Sequence, residues 1–202
     1  MSTLTDRVKA LFRRVGPFDP NTISSEMGLY PMTKSGATIN ESSAMAISTV
    51  YACVYKISST IASLGLEIYE RDGRNVVQAN VHPAYNLVKV KPNNHQTAYE
   101  FWESITASAV IYGVGYAIIE RDERGYATQL IPVHYSDVDL RNVKGERVYS
   151  VKDVGIVRPE NMLEICNLQR MSPIRLHREN LGLAKSAQDF GAEYFGQSGQ
   201  MT

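Results

Sequence analysis

The stretch NESSAMAISTVYACVYKISSTIASLGLEIYERDG, residues 40–73, changes its period part of the way along, and that change decides the class of fold. Ala44, Ile47, Tyr51, Val54, Ile57, Ile61 and Leu64 recur every three or four residues. That spacing predicts one long helix with this face buried. Asn40 is placed to cap it and Ile39 to form the outer half of a hydrophobic staple. Gly65 is placed to end it in the left-handed conformation. From Leu66 to Arg71 the alternation becomes that of a strand, and Asp72-Gly73 is a hairpin turn signal leading to Val76-Val77.

Working outward, His82-Pro83 opens a short helix over Tyr85, Leu87 and Val88, closed before Lys91-Pro92-Asn93-Asn94. Thr97 and Glu100 have capping-box spacing, and Phe101, Trp102, Ile105, Ala109 and Tyr112 continue a helix that breaks at Gly113. A β-rich stretch follows from Tyr116 to about Asn167, punctuated by Asp122-Glu123-Arg124-Gly125, by Asn142 to Gly145 and by Pro159. Ser172-Pro173 then opens a closing helix through Leu176, Leu183, Ala187, Phe190 and Tyr194. Strands and helices are segregated rather than alternating, so the expected class is α+β with antiparallel strands.

On the N-terminal side, residues 16–39 are rich in Gly, Pro, Ser, Thr and Asn without periodicity and are expected to be a flexible connector. Before it, Leu4, Val8, Leu11 and Val15 make an apolar stripe, with Arg7, Lys9, Arg13 and Arg14 around the rest. This short basic amphipathic helix either docks on its own domain or is an arm that grips a neighbouring subunit, a shell or nucleic acid.

Composition narrows the function classes. The 202 residues hold 21 Lys+Arg and 21 Asp+Glu, so the formal net charge is zero. Bulk electrostatic attraction to nucleic acid is therefore not the basis of function, and any such contact must be local. No stretch reaches the roughly 20 apolar residues of a membrane span, and no signal peptide opens the chain. The two cysteines, Cys53 and Cys166, sit in apolar runs and are expected to be buried reduced thiols.

Motifs that carry chemistry are scarce. Gly113-Val114-Gly115 follows a helix and precedes a strand, the reverse of a dinucleotide fingerprint, and reads as a turn needing glycine. The four histidines, His82, His95, His134 and His177, are scattered, and His82 is placed to cap a helix start. Asp137, Asp139 and Glu164 are expected at solvent-facing strand positions. Neither a catalytic site, a cofactor nor a metal is expected, although a Cys–His pair using Cys53 or Cys166 is the enzymatic alternative.

Five segments, in order, resemble the portal (connector) family of long-tailed bacteriophages. They are Ser48 to Val54 running on through Ile57–Leu64 to Glu67–Arg71; His82-Pro83-Ala84-Tyr85-Asn86-Leu87 with Lys91-Pro92-Asn93; Glu100-Phe101-Trp102-Glu103 with Tyr112 to Ala117; Leu130-Ile131-Pro132-Val133; and Ser172-Pro173-Ile174 leading to Glu193-Tyr194-Phe195-Gly196. The chain departs from the family at Cys166, where His is common, and at Arg170-Met171, where Gly is common.

The resemblance implies the N-terminal half of a portal subunit, a structural protein rather than an enzyme. Residues 1–39 would be the basic arm and connector, 40–170 a wing-type domain, and 171–202 the start of a stem helix in a chain shorter than the family's. The implied role is a closed homo-oligomeric ring, commonly a dodecamer, at one capsid vertex, forming the DNA channel for packaging and ejection and the head–tail joint. Implied partners are further copies of the chain, the terminase large subunit, the major capsid protein or scaffold, a head–tail adaptor, and double-stranded DNA without sequence preference. The virion and, during assembly, the host cytoplasm are the implied locations, with no membrane partner. Arg175, Arg178 and Lys185 are candidates to face DNA or the next subunit, or else to pair with Glu179 and Asp189. Arg7, Lys9, Arg13 and Arg14 are candidate arm contacts. A sequence-independent nucleic-acid-binding module is the alternative function.

Overall fold

A computed structural model describes residues 32–143, 146–168 and 170–196. The N-terminal amphipathic segment, with Arg7, Lys9, Arg13 and Arg14, lies outside them, as do most of the connector and part of the expected turn at Asn142 to Gly145.

The opening helix is in two pieces. Helix α1, Glu41–Met45, starts at Asn40, whose side chain accepts the Ser43 N–H while the Ser43 side chain accepts from the Asn40 backbone N–H. Ile47 then adopts an extended backbone and turns its side chain inward, 6% exposed, before α2, Ser48–Ser63. The extended backbone at Ile47 breaks the run that periodicity alone reads as continuous. The buried line along α2 is Val54, Ser58 and Ala62. Tyr51, Ile57, Ile61 and Leu64, expected inside, are exposed. Small Ser58 and Ala62 face the neighbouring helix, so the two can approach closely and the bulkier side chains are left on the flanks.

Strands β1, Tyr69–Asp72, and β2, Asn75–Gln78, make the expected hairpin, with Gly73 at positive φ. Helix α3, Tyr85–Lys89, leads to α4, Ala98–Tyr112, which carries the complete Thr97/Glu100 capping box. The Thr97 N–H and hydroxyl bonds hold the Glu100 carboxyl below its ordinary range. Gly113 ends α4 in the left-handed conformation, φ 95°.

Strand β3, Val114–Arg121, sits at the centre of an antiparallel sheet between β4, Ala127–Val133, and β8, Met162–Cys166. The intervening β5, Val138–Val143, β6, Glu146–Val151, and β7, Gly155–Val157, form a second antiparallel sheet in the order β5-β6-β7. The two sheets pack on each other through Tyr116, Ile118, Ile131 and Val133 on one side and Tyr149, Val151 and Val157 on the other. The opposite face of the first sheet is covered by helices, with Ala117 and Leu130 packed against Ala62, Leu87, Phe101, Trp102 and Ile105. Strand alternation thus puts Tyr116 and Ile118 in one core and Ala117 in the other. The expected α+β class with antiparallel strands is what the fold is.

The closing helix is also split. Helix α5, Pro173–Leu176, is capped by Ser172, and His177 interrupts the run before α6, Arg178–Gly196. The described end of the expected flexible connector is held in place instead, at Thr33 and Ile39. Ile39 and Thr33 are buried, and Thr33 lies against Gly182 of α6, where a Cβ would stand 2.5 Å from its Oγ1. The Lys34 N–H donates to Glu179 at 3.0 Å, and the Ser186 hydroxyl donates to the Ser35 carbonyl at 3.1 Å. Residues 33–36 are therefore a strap across the first turns of α6.

Candidate functional site

Three groups of side chains stand out, and none resembles a catalytic centre. The first joins the two sheets. Glu164 on β8 was expected to face solvent, but its side chain is only 11% exposed. Its register partner on β3 is Tyr116, so it shares the face that packs on the second sheet. The Tyr149 hydroxyl donates to it at 2.6 Å, Arg147 Nη2 approaches both its oxygens at 3.3 and 3.2 Å, and Arg170 pairs with it from the loop after β8. Arg170 itself is at φ 53°, an uncommon conformation for a residue with a side chain. Burial, then the bond to Glu164, pushes the Tyr149 hydroxyl up to about 12. Burial does the same in direction for Tyr116, and Glu164 raises Arg170. A carboxylate clamped this way by two guanidiniums is a latch, because its charge is already matched.

The latch predicts a pH effect. The folded protein holds the Tyr149 proton more tightly than the unfolded chain, so this stabilisation is complete below pH 10 and is lost as pH rises towards about 12. The thermal midpoint of the wild type should fall across that window. Tyr149→Phe should start lower and fall less steeply, and an unchanged slope in the variant would remove Tyr149 as the cause.

The second group anchors α5. The Glu41 side chain, 3% exposed, accepts from Arg175 Nε at 3.0 Å, and Arg175 Nη2 lies 3.4 Å from the Tyr135 hydroxyl. Tyr135 stacks on Tyr112 at 4.0 Å between ring centres. Of the candidate cations, Arg175 thus ties α5 to α1. Arg178 lies 4.0 Å from Glu179, and Lys185 pairs with Asp189 at 3.0 Å one helical turn away. Sequence reasoning named Glu179 and Asp189 as partners and missed Glu41, which is far off in sequence.

The third is an exposed apolar surface. On α2 it comprises Tyr51, Tyr55, Ile57, Ile61 and Leu64; on α6 it comprises Leu183, Phe190 and Phe195. Both cysteines, expected buried, are exposed, Cys53 on the solvent side of α2 and Cys166 at the end of β8. A thiol buries only where the helix carrying it is covered on that side, and α2 is covered along Val54, Ser58 and Ala62.

Other chemistry is not assembled. Among the described residues no group of three or more His, Cys, Asp or Glu could hold a metal ion, and no helix is long and apolar enough to cross a membrane. A cleft of about 420 Å³ lies between Leu87, Val88, Trp102, Leu130 and Leu163. Two of its polar side chains are committed, since the Trp102 indole N–H donates to the Val88 carbonyl and Arg121 is bonded to Asn161, Gly125 and Glu160. His82 Nδ1 accepts the Ala84 N–H, a local turn contact of the kind expected.

Comparison with known proteins agrees with this shape. The portal protein of Enterobacteria phage HK97 is 29% identical over 170 residues, which are 79% of this chain and 40% of that protein. The crystal structure of an HK97-family phage portal protein from Corynebacterium diphtheriae superposes with a TM-score of 0.56 at 18% identity, over 76% of this chain and 48% of that one. The neck of an empty GTA particle, computed with C6 symmetry, gives 0.58 at 16%, over 96% and 52%. At such identities the two structures speak for the fold. The chain spans between 40% and 52% of the length of these relatives. The family model described as phage portal protein matches residues 48–202. That match runs from α2 through both sheets and α6, well over half the residues, and the chain belongs to the phage portal protein family.

Proposed function

We propose that this chain works as a structural subunit of the portal ring at a capsid vertex, forming the channel for DNA packaging and ejection and the point where head meets tail. The observation that carries the reading is the family match over residues 48–202, continuous through the layered body and the exposed helix α6. In this reading residues 40–170 are the wing, 171–202 begin the stem, and 1–39 are the arm and connector. The ring's partners are further copies of the chain, a terminase large subunit, the major capsid protein or scaffold, a head–tail adaptor, and DNA held without sequence preference. It makes and breaks no bonds and needs no cofactor. Its places are the virion and, before that, the cytoplasm of the host.

Two physical features support the reading. A wall past which DNA must slide is served by weak, sequence-blind phosphate contacts, and a zero net charge with α6 cations already paired to carboxylates keeps such contacts weak. Apolar faces left exposed among the described residues, on α2 and α6, suit a chain whose neighbours are copies of itself. The test is direct imaging of the full-length polypeptide. Negative-stain microscopy and native mass spectrometry should show closed rings, commonly dodecamers. A strict monomer at micromolar concentration, binding DNA tightly with steep salt dependence, would instead favour the nucleic-acid-binding module.

A further inference from the structure

Helix α2 spends its sixteen residues unusually. Val50, Cys53, Ile57, Ile61 and Leu64 fall within about 80° of arc at 3.6 residues per turn, and apart from half-buried Val50 all are exposed. Beside them, pointing outward, are the short side chains of Thr49, Ala52 and Ser63, with Lys56 as the helix's one charge. An aliphatic ridge next to a shelf of short side chains is a surface shaped to take bulky groups from another helix.

Helix α6 offers such groups. Leu183, Ala187, Phe190 and Tyr194 are spaced four, three and four apart, so they form one stripe. Leu183 and Phe190 are each 66% exposed, and Phe190 stacks on Tyr194. Charge also matches. Among the described residues Lys185 takes Asp189 and Glu179 is engaged by the strap, which leaves Glu193 beside the stripe facing no ion pair. It is the complement of Lys56. A cyclic ring is closed by head-to-tail contacts, which need two different patches on each copy. An isologous contact of α2 on α2, or α6 on α6, would stop at a dimer.

We infer that the Ile57–Ile61–Leu64 ridge of α2 in one copy seats the Leu183–Phe190–Tyr194 stripe of α6 in a second copy of the chain, with Lys56 opposite Glu193. The inference rests on the ring reading above and names the seam of that ring. The native Cys53 beside the ridge is a ready probe. In the full-length protein carrying Cys166→Ser and Ala187→Cys, which leaves the bulky groups of the stripe in place, a short bismaleimide applied to assembled rings should give a ladder of dimers, trimers and higher species on a denaturing gel. Adding Cys53→Ser should abolish it. In parallel, Ile61→Glu, at an exposed position, should cut ring yield at least tenfold while the helical circular dichroism and melting midpoint stay at wild-type values. Rings without a ladder, a cross-linked band of monomer size, or undiminished rings from Ile61→Glu would each overturn the α2–α6 seam and leave the ring reading standing. Wild-type protein that never closes into rings would overturn both.

Discussion

Alanine at Gly113 is expected to destabilise the protein by about 2–5 kcal/mol, from a left-handed residue's cost of about 1–2 kcal/mol and an overpacking cost of about 1–3 kcal/mol. Gly113 is at φ 95°, where it turns the chain from α4 into β3. A Cβ there would stand 2.7 Å from both the backbone N and C of Met171. The obstacle is main chain, and that main chain is fixed. The Asn167 N–H donates to the Gly113 carbonyl at 3.0 Å, the Asn167 amide donates to the Met171 carbonyl at 2.7 Å, and the buried Ser172 hydroxyl donates to the Ile111 carbonyl at 2.6 Å. The Met171 segment cannot retreat without giving up one of these. Against a total stability of about 5–15 kcal/mol this is a large share. Urea unfolding followed by circular dichroism measures it, and a midpoint within error of the wild type would show that the loop yields freely.

Phe101→Ala should cost about 3–5 kcal/mol, the range for removing a fully buried ring. Phe101 is 0% exposed on α4 and lies edge-on to Trp102, ring centres 4.9 Å apart. It packs in the cluster that joins α2, α3 and α4 to the first sheet, so the void opens at the junction of four elements and not at a margin that can fold in. Trp102 is itself held by its bond to the Val88 carbonyl and cannot swing across to fill the space. The variant should show a lowered melting midpoint and binding of a hydrophobic dye. A loss under about 1 kcal/mol would mean that the helices close over the gap.

These two positions were legible in the sequence, and the reason is local. Gly113 sits where a helical period gives way to a strand period, and the Thr97/Glu100 box three residues apart marks the other end of the same helix. Alternation along β3 likewise needs no knowledge of the rest of the chain. What the sequence hid depends on who the neighbours are. Periodicity says that Tyr51, Ile57, Ile61 and Leu64 share a side of α2, but not that the helix beside it meets Val54, Ser58 and Ala62 instead. The two cysteines were misjudged for the same reason, since an apolar run does not tell which flank is covered. Glu164 looked like an ordinary strand carboxylate because one of its guanidinium partners, Arg147, belongs to the other sheet. Sequence spacing pairs Arg175 with the carboxylates that follow it, Glu179 and Asp189, while its partner Glu41 lies 134 positions earlier.

The strap over α6 has a consequence for how the molecule comes into being. Its contacts join residues 145 and 151 positions apart, Lys34 to Glu179 and Ser35 to Ser186. Translation delivers the strap before α6, so residues 33–36 leave the ribosome without that partner until both sheets have been made. Closing so long a loop is entropically slow, and the layered body must already be folded to bring its ends together. A nascent chain would therefore fix the direction of α6 only after the layered body that it leans on is complete.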